Sequence, residues 1–149
     1  MSCFICNVCG HVEFGAAPEK CPVCFAPQTS FVQNDNVFAE SEEKSKEGAV
    51  KHIPSIKINH ECKIIREESC VDAIVSIGEK LHPMTEDHSI QFIDCYVDDV
   101  YVTRVFLTPG VFPSAVIHMK PGGSKVRIVQ NCNLHGHWQA EADLSLPEL

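Results

Sequence analysis

The stretch Ser89-Ile-Gln-Phe-Ile-Asp-Cys-Tyr-Val-Asp-Asp-Val-Tyr-Val-Thr-Arg-Val-Phe-Leu107 decides how the larger part of this chain folds. It holds two runs, residues 89–97 and 100–107, in which β-branched and aromatic side chains recur with the period of two that is typical of a strand. The pair Asp98-Asp99 between the runs is a turn signal. The stretch therefore predicts two β-strands joined by a turn.

The same pattern extends in both directions, from Val50 to near the end of the chain. Thr108-Pro109-Gly110 and Pro121-Gly122-Gly123 mark further turns. The full set of candidate strands is 55–60, 70–77, 89–97, 100–107, 114–119, 125–130 and 137–142. About seven short strands in about 100 residues, with no helical period between them, are typical of an immunoglobulin-like antiparallel β-sandwich. The expected fold class is therefore mainly β.

The first part of the chain has a different composition, with paired cysteines in place of alternating apolar residues. Cys6-x2-Cys9-Gly10 and Cys21-Pro22-Val23-Cys24 form two knuckles separated by eleven residues. Each knuckle directs two sulfurs at one point, so the four thiolates predict a tetrahedral metal site, which suits either iron or zinc. Because so short a segment cannot bury a sufficient core, metal binding is expected to supply much of its folding free energy.

These observations divide the chain into a small metal-knuckle domain at residues 1–35, a polar linker at 36–48 and a β-sandwich domain at 49–149. The linker is rich in acidic residues and poor in core-forming side chains. Two alternatives remain for it. Glu40 and Lys44 at i,i+4 spacing favour a short exposed helix, whereas the composition favours a solvated segment.

The bulk composition excludes several classes of function. A formal net charge of −8 over 149 residues argues against a nucleic-acid partner, and no apolar run is long enough to cross a membrane. The N-terminus lacks the features of an export signal, and the spacing of the nine cysteines indicates metal chelation rather than a disulfide framework, so we expect a cytoplasmic protein. The acidity also means that a site for a small anion needs its own positive charge.

A second candidate metal site begins near the C-terminus, at Cys132 and His135. A thiolate and an imidazole three positions apart form a chelating turn, and no second Cys-x-x-Cys lies nearby to complete a zinc finger. The other ligands must come from distant segments, and the candidates are His52, His82 and His88. Four histidines and one cysteine form a nitrogen-rich set that suits redox-active iron better than structural zinc.

Residues 1 to about 33 resemble the rubredoxin module of rubrerythrins. The matching residues are Phe4-x-Cys6-x2-Cys9-Gly10, Pro18-Glu19-Lys20-Cys21-Pro22-x-Cys24 and Ala26-Pro27 with Phe31. The resemblance implies a one-electron iron centre held by Cys6, Cys9, Cys21 and Cys24, with a zinc ribbon as the alternative. Rubredoxins usually carry glycine after the second knuckle, and this chain has Phe25 there.

The larger domain resembles the catalytic domain of superoxide reductases, the neelaredoxin/desulfoferrodoxin family. Three motifs match in order: Lys-His-x-Pro at 51–54, His-Pro-Met-x3-His at 82–88 and Cys-Asn-x-His-Gly-x-Trp at 132–138. The resemblance implies one-electron reduction of superoxide to hydrogen peroxide at a mononuclear iron. By the same resemblance, the electron donor is a rubredoxin or similar carrier, and the protein is a homodimer or higher oligomer. A non-catalytic iron protein for electron transfer or redox sensing is the alternative function.

The resemblance also implies a role for each site residue. His52, His82, His88 and His135 supply four equatorial nitrogens, Cys132 supplies the axial sulfur, and the sixth position faces solvent. Lys51 attracts superoxide and is the expected catalytic residue.

Four further expectations concern the surroundings of this site. The family commonly has glutamate where this chain has Val50, so we expect solvent rather than a carboxylate in the sixth position, with Glu47 as the nearest alternative carboxylate. The Asn133-Leu134 spacer should direct backbone N–H groups at the Cys132 sulfur. Trp138 is expected to pack over the site or the core. Of the remaining histidines, we expect His137 at the surface or behind the ligands and His11 at an exposed position.

Overall fold

The computed structural model describes residues 1–45, 48–61, 64 and 70–145. Its N-terminal part is a small antiparallel sheet in the order β2-β1-β3. The strands are β1 (Cys3–Cys6), β2 (Val12–Phe14) and β3 (Phe31–Gln33), with a single 3-10 turn at Gln28–Ser30. Of the metal-knuckle cysteines, Cys6 ends β1, Cys9 lies in the loop between β1 and β2, and Cys21 and Cys24 lie between β2 and the 3-10 turn.

The rest of the chain forms two facing antiparallel sheets, ordered β10-β9-β6-β7 and β4-β5-β8. The strands are β4 (Pro54–Asn59), β5 (Val71–Ile77), β6 (Ile90–Val97), β7 (Val100–Phe106), β8 (Ser114–Met119), β9 (Lys125–Cys132) and β10 (Gly136–Asp143). All seven expected strands are confirmed, and their ends differ from expectation by at most two residues. The mainly β fold class is therefore confirmed.

The core lies between the two sheets and follows the alternation in the sequence. Ala73, Val75 and Ile77 of β5 face Ile93 of β6 and their neighbours, and all four are at most 1% exposed. Burying a large aliphatic side chain contributes about 1.5–3 kcal/mol, so this layer is the main support of the sandwich. Cys132, at the end of β9, belongs to the same cluster, which places one expected metal ligand on the rigid core.

Residues 37–44 of the expected linker form helix α1 (Val37–Lys44), which packs against β10. Of the two alternatives, the helix is the correct one, because it buries Val37 in a cluster with Phe14 and Tyr96 and buries Ser41 beside Gly136 of β10. A Cβ at Gly136 would lie 2.7 Å from the Ser41 hydroxyl, so glycine permits the helix to approach the strand. A second short helix, α2 (Gly48–His52), ends at a candidate ligand.

Seven of the described cysteines are free, whereas Cys70, directly before β5, is disulfide-bonded. The expectation that the cysteines chelate metal rather than form disulfides is therefore wrong for Cys70. Within the described ranges, neither helix has the length and apolar character that a membrane crossing requires.

Candidate metal centres

The two N-terminal knuckles bring their four sulfurs together. The sulfurs of Cys6 and Cys24 are 3.6 Å apart, as are those of Cys9 and Cys21, and all four lie within 4.8 Å of one another. A tetrahedron with metal–sulfur bonds of about 2.3 Å has sulfurs about 3.8 Å apart. The spacing therefore fits one tetrathiolate metal ion.

The two knuckles share a backbone geometry but differ in one residue type. Gly10 N–H donates to the Cys6 carbonyl and Phe25 N–H donates to the Cys21 carbonyl, both at 2.9 Å. Both residues adopt positive φ, 79° for Gly10 and 63° for Phe25. The Phe25 side chain is 74% exposed, so no burial offsets the strain of its left-handed backbone.

The second candidate centre is a ring of four imidazoles brought together from distant segments. Consecutive ring centroids lie 4.7 Å apart for His52–His82, 4.5 Å for His82–His88, 5.1 Å for His88–His135 and 4.9 Å for His135–His52. The diagonal from His52 to His88 is 6.5 Å. This closed ring is the arrangement that four equatorial nitrogens need around one ion.

Hydrogen bonds identify which ring nitrogens face the centre. His52 Nδ1 donates to the Gly48 carbonyl at 2.8 Å and His82 Nδ1 donates to the Pro83 carbonyl at 2.7 Å. In the neutral rings both Nε2 atoms therefore carry lone pairs, yet they lie 3.2 Å apart. Metal–nitrogen bonds of about 2.1 Å at right angles place adjacent nitrogens about 3.0 Å apart. A shared cation accounts for this approach, which two lone pairs alone would resist.

His88 provides independent evidence that this cluster binds a metal ion. Its Nε2 is buried and has no hydrogen-bond partner among the described residues. A buried polar atom without a partner is costly and calls for an explanation, and coordination of a metal ion supplies one. The donor set therefore fits the iron that the sequence predicts.

Cys132 lies beneath the ring on its buried side. Its sulfur is 3.4 Å from His82 Nε2 and 3.7 Å from His135 Nδ1, and the residue is 1% exposed. Burial raises the pKa of the thiol, while the backbone N–H groups of Leu134 and His135 act in the opposite direction by hydrogen bonding to the sulfur. Of the expected Asn133-Leu134 spacer, only the Leu134 N–H is directed at the sulfur, because the Asn133 N–H donates to the Ser89 carbonyl at 3.2 Å.

Burial favours the neutral form of three of the four imidazoles. Burial lowers the pKa of His82 to about 4, and burial also lowers the pKa of His52 and of His88. Metals bind the unprotonated ring nitrogen. Because few of these rings carry an extra proton at neutral pH, a metal ion meets little competition from protons there.

Two residues hold His52 in position, and only one of them was expected from the sequence. Trp138 stacks on the His52 ring with centroids 4.8 Å apart, as expected for a residue that packs over the site. Gln130 was missed: it is fully buried, and its Nε2 donates to the His52 carbonyl at 2.9 Å. A signal existed, since Gln130 is a polar residue on the face of β9 that also carries Ile128 and Cys132.

Lys51 directly precedes His52 on α2 and is exposed. Its charge contributes to the lowered pKa of His52 and of His88, so its field reaches the ring. Val50 is 43% exposed and offers no ligand atom. Glu47, the alternative carboxylate, lies outside the described residues.

The histidines outside the ring differ in outcome. His137 remains outside the cluster of ligand atoms and is half-buried, and its Nε2 donates to the Gly10 carbonyl. The expected exposure of His11 is wrong: it is fully buried, with Nε2 2.7 Å from Glu13 and Nδ1 3.5 Å from Asp94. Burial lowers the pKa of His11, but these carboxylates outweigh burial and raise it overall.

Comparison with known proteins agrees with this geometry. The Desulfoferrodoxin family model matches residues 41–141, and the model of the rubredoxin-like domain of rubrerythrin matches residues 4–32. A desulfoferrodoxin from Desulfarculus baarsii is 34% identical over 140 residues, covering 91% of this chain and 92% of the relative. A superoxide reductase from Pyrococcus horikoshii is 31% identical over 106 residues, covering 63% of this chain and 87% of the relative.

Solved structures show the same relationship for the larger domain. The superoxide reductase (neelaredoxin) of Ignicoccus hospitalis aligns with a TM-score of 0.52 and 27% identity, covering 64% of this chain and 81% of that one. The family match spans well over half of the chain and includes every residue of the imidazole ring. The chain belongs to the desulfoferrodoxin family.

Proposed function

We propose that the protein is a superoxide reductase, an oxidoreductase that converts superoxide to hydrogen peroxide with one electron and two protons. The observation that carries the proposal is the cluster of ligand atoms from His52, His88, His135 and Cys132, which all lie within 4.8 Å of one another. The Nε2 of His82 adjoins this cluster, 3.2 Å from His52 Nε2 and 3.4 Å from the Cys132 sulfur. A purely structural zinc site needs only four ligands and no ring of nitrogens. Relatives named superoxide reductase support the same conclusion.

The proposed ligands of the catalytic iron are His52, His82, His88 and His135 in the ring and Cys132 beneath it. When bound, iron supplies the single electron and one coordination position for exchange. The Cys132 thiolate donates electron density from the buried side, and the backbone N–H groups of Leu134 and His135 moderate that donation. The substrate side is the opposite one, where His88 and His135 are only half-buried.

Lys51 is the proposed catalytic residue, and its task follows from the charge of the chain. A net charge of −8 repels superoxide at long range. The Lys51 ammonium, exposed and next to the ring, provides local attraction and a place to hold a proton-donating water.

The test compares Lys51→Ala with Lys57→Ala, an exposed lysine on β4 that carries the same charge. With reduced protein and pulsed superoxide, Lys51→Ala should lower the second-order rate constant by roughly tenfold and weaken its dependence on salt. Lys57→Ala should change the rate little. Equal rates for the two variants would refute the role of Lys51, and no reaction in the parent protein would refute the proposed activity.

We propose iron in the tetrathiolate site as well, with zinc as the alternative, and a rubredoxin or similar carrier as the external donor. Metal analysis with visible spectra separates the two metals, since a zinc tetrathiolate has no visible absorption.

A homodimer or larger homo-oligomer is proposed because Phe106 and Phe112 are 71% and 75% exposed, and light scattering tests it. A cytoplasmic location is proposed because Cys3 and Cys95 are free thiols outside both ligand sets, as is typical of a reducing environment; the disulfide at Cys70 is the exception.

A further inference from the structure

A third group of metal-binding side chains lies outside both candidate centres, on the smaller sheet of the sandwich. Its members are Cys70, Asp72 and His118, and one ligand atom from each lies within 4.8 Å of the other two. Asp72 on β5 is the cross-strand partner of His118 on β8. Cys70 directly precedes β5 and is two residues from Asp72, so strand alternation places both on the same side. The register of the strands therefore brings the three donors together.

The distances between the donor atoms are close to those around one zinc ion. His118 Nδ1 donates to Asp72 Oδ1 at 2.7 Å, and the Cys70 sulfur lies 3.9 Å from the same oxygen. A tetrahedral zinc ion, with bonds of about 2.0 Å to nitrogen and oxygen and about 2.3 Å to sulfur, separates its ligand atoms by about 3.3–3.5 Å. The two observed distances lie on either side of this range. Small side-chain shifts therefore suffice to replace the hydrogen bond by an ion, with the ring proton moved to Nε2.

Burial gives the group a need for a cation once Cys70 is a thiolate. Cys70 and Asp72 are 5% and 6% exposed, whereas the His118 side chain is 38% exposed. A thiolate beside a buried carboxylate brings two negative charges into a poorly solvated place, which is costly unless a cation neutralises them. Three protein ligands with water in the fourth position are an arrangement that zinc adopts in proteins.

The oxidation state of Cys70 controls whether its thiolate is available. In the structure its sulfur is part of a disulfide and cannot bind a metal ion as a thiolate. We infer that Cys70, Asp72 and His118 form a redox-controlled zinc site, which binds Zn²⁺ when the disulfide is reduced and loses it when the disulfide forms again.

The step that opens this site is thiol–disulfide exchange. Two molecules of a small thiol give up two electrons and two protons and join in a disulfide of their own. The S–S bond at Cys70 breaks, and its two sulfurs take up those electrons and protons as thiols. Zinc then displaces the proton of the Cys70 thiol to solvent and binds the thiolate. A reducing compartment favours this state.

The zinc site is separate from the proposed catalytic centre. β5 runs from Val71 to Ile77, and the Ile77 carbonyl accepts the His82 N–H at 3.1 Å. The imidazole ring thus adjoins one end of β5 and Cys70 the other, and seven residues of extended chain span roughly 20 Å. Substitutions in the third group should therefore leave both other centres loaded, and the inference does not depend on the proposed activity.

The test measures zinc binding to the full protein with both proposed centres already loaded. Isothermal titration with Zn²⁺ is compared with and without tris(carboxyethyl)phosphine, which reduces the disulfide as its phosphorus takes up the oxygen of water. The reduced protein should bind one additional equivalent per chain, and the oxidised protein none.

Variants then assign the additional zinc to its ligands. His118→Asn leaves the cysteine in place and should weaken the additional binding at least about a hundredfold, because changes merely behind a metal ligand already cost about 10–100-fold. Cys70→Ser should have the same effect. Cys3→Ala is the matched control, since it removes another buried thiol, 4% exposed, and should leave the additional binding unchanged.

Cobalt reports the sulfur ligand directly. In protein with zinc in both proposed centres, Co²⁺ added after reduction should produce a thiolate-to-cobalt charge-transfer band that Cys70→Ser lacks. A reduced protein that binds no additional zinc would refute the site. Equal additional binding by the oxidised protein, or unchanged affinity in His118→Asn, would place the ion elsewhere and overturn the inference.

Discussion

The buried ion pair between Arg104 of β7 and Asp94 of β6 lies on the face of the sandwich that meets the N-terminal domain, and removing its cation should be costly. Arg104 also donates to the Cys9 carbonyl, and Asp94 lies 3.5 Å from His11. Arg104 Nε and Nη2 donate to the two Asp94 oxygens at 2.6 and 2.8 Å. The side chains are 2% and 0% exposed, respectively. We consider Arg104→Met, which retains the apolar stem over the Phe92 ring, where the guanidinium now lies 3.5 Å from the centroid.

The expected loss follows from what remains around Asp94. Breaking a buried pair by removing one partner costs about 3–5 kcal/mol, because the other charge stays buried. His11 Nδ1, 3.5 Å from Asp94, partly compensates as a cationic partner, since its pKa is raised. We therefore expect the lower end, about 3 kcal/mol, which corresponds to a fall in Tm of about 10 °C for a chain of this size.

The assay is calorimetric unfolding of metal-matched protein at one scan rate. Lys125→Met is the control, since its ion pair with Glu141 is equally direct at 3.2 Å but 58% exposed on the lysine side, and about 0.5 kcal/mol or less is expected. The double variant Arg104→Met/Asp94→Leu should recover most of the stability, because the Asp94 charge is removed together with its partner and His11 keeps Glu13 as a carboxylate partner at 2.7 Å. A loss in Arg104→Met no larger than in the control, or a double variant as unstable as the single one, would refute this reasoning.

Three further predictions concern the metal centres. Cys132→Ser should abolish the visible thiolate-to-iron charge-transfer band of the catalytic centre, and persistence of that band would mean that the sulfur is not the axial ligand. Phe25→Gly should raise the unfolding free energy of the zinc-loaded protein by up to about 1 kcal/mol, because it relieves a positive φ at an exposed side chain; no gain would show that the turn is not strained. The metal-free protein should lose up to about 3 kcal/mol of stability as pH falls from about 6.5 towards 4. The pKa of His82 is about 4 in the folded protein and 6.5 in the unfolded chain, so only the unfolded chain binds the proton in that range of pH. Urea unfolding against pH measures the slope, and His82→Asn should flatten it.

The strands and both ligand sets were predictable because each has a local signature. Period-two alternation along β5, β6 and β9 depends only on which face is buried. The paired cysteines and the motifs around His52, His82 and Cys132 carry their chemistry in the residue types and spacing themselves. The structure changed only the ends of the strands by one or two residues.

The helix over 37–44 and the burial of His11 could not be predicted from local patterns in the sequence. The acidic composition of residues 36–48 favoured a solvated segment, and only the contact of Val37 and Ser41 with the rest of the protein selects the helix. His11 is polar and close to a knuckle, and nothing local indicates burial. Its partners Asp94 and Tyr96 are more than 80 residues away and are reached only when the domains meet.

The mainly β fold and the residue types of the two candidate donor sets, including those that make one of them suitable for iron, follow from the sequence alone. Tertiary structure decided how the two domains face each other, and with it the contact of Gly10 with His137 and of Cys9 with Arg104. Strand alternation and the residue types of each ligand-bearing motif are local in the sequence, whereas the meeting of those motifs at one point depends on the fold. The pairing of buried polar groups across an interface depends instead on which surfaces come together.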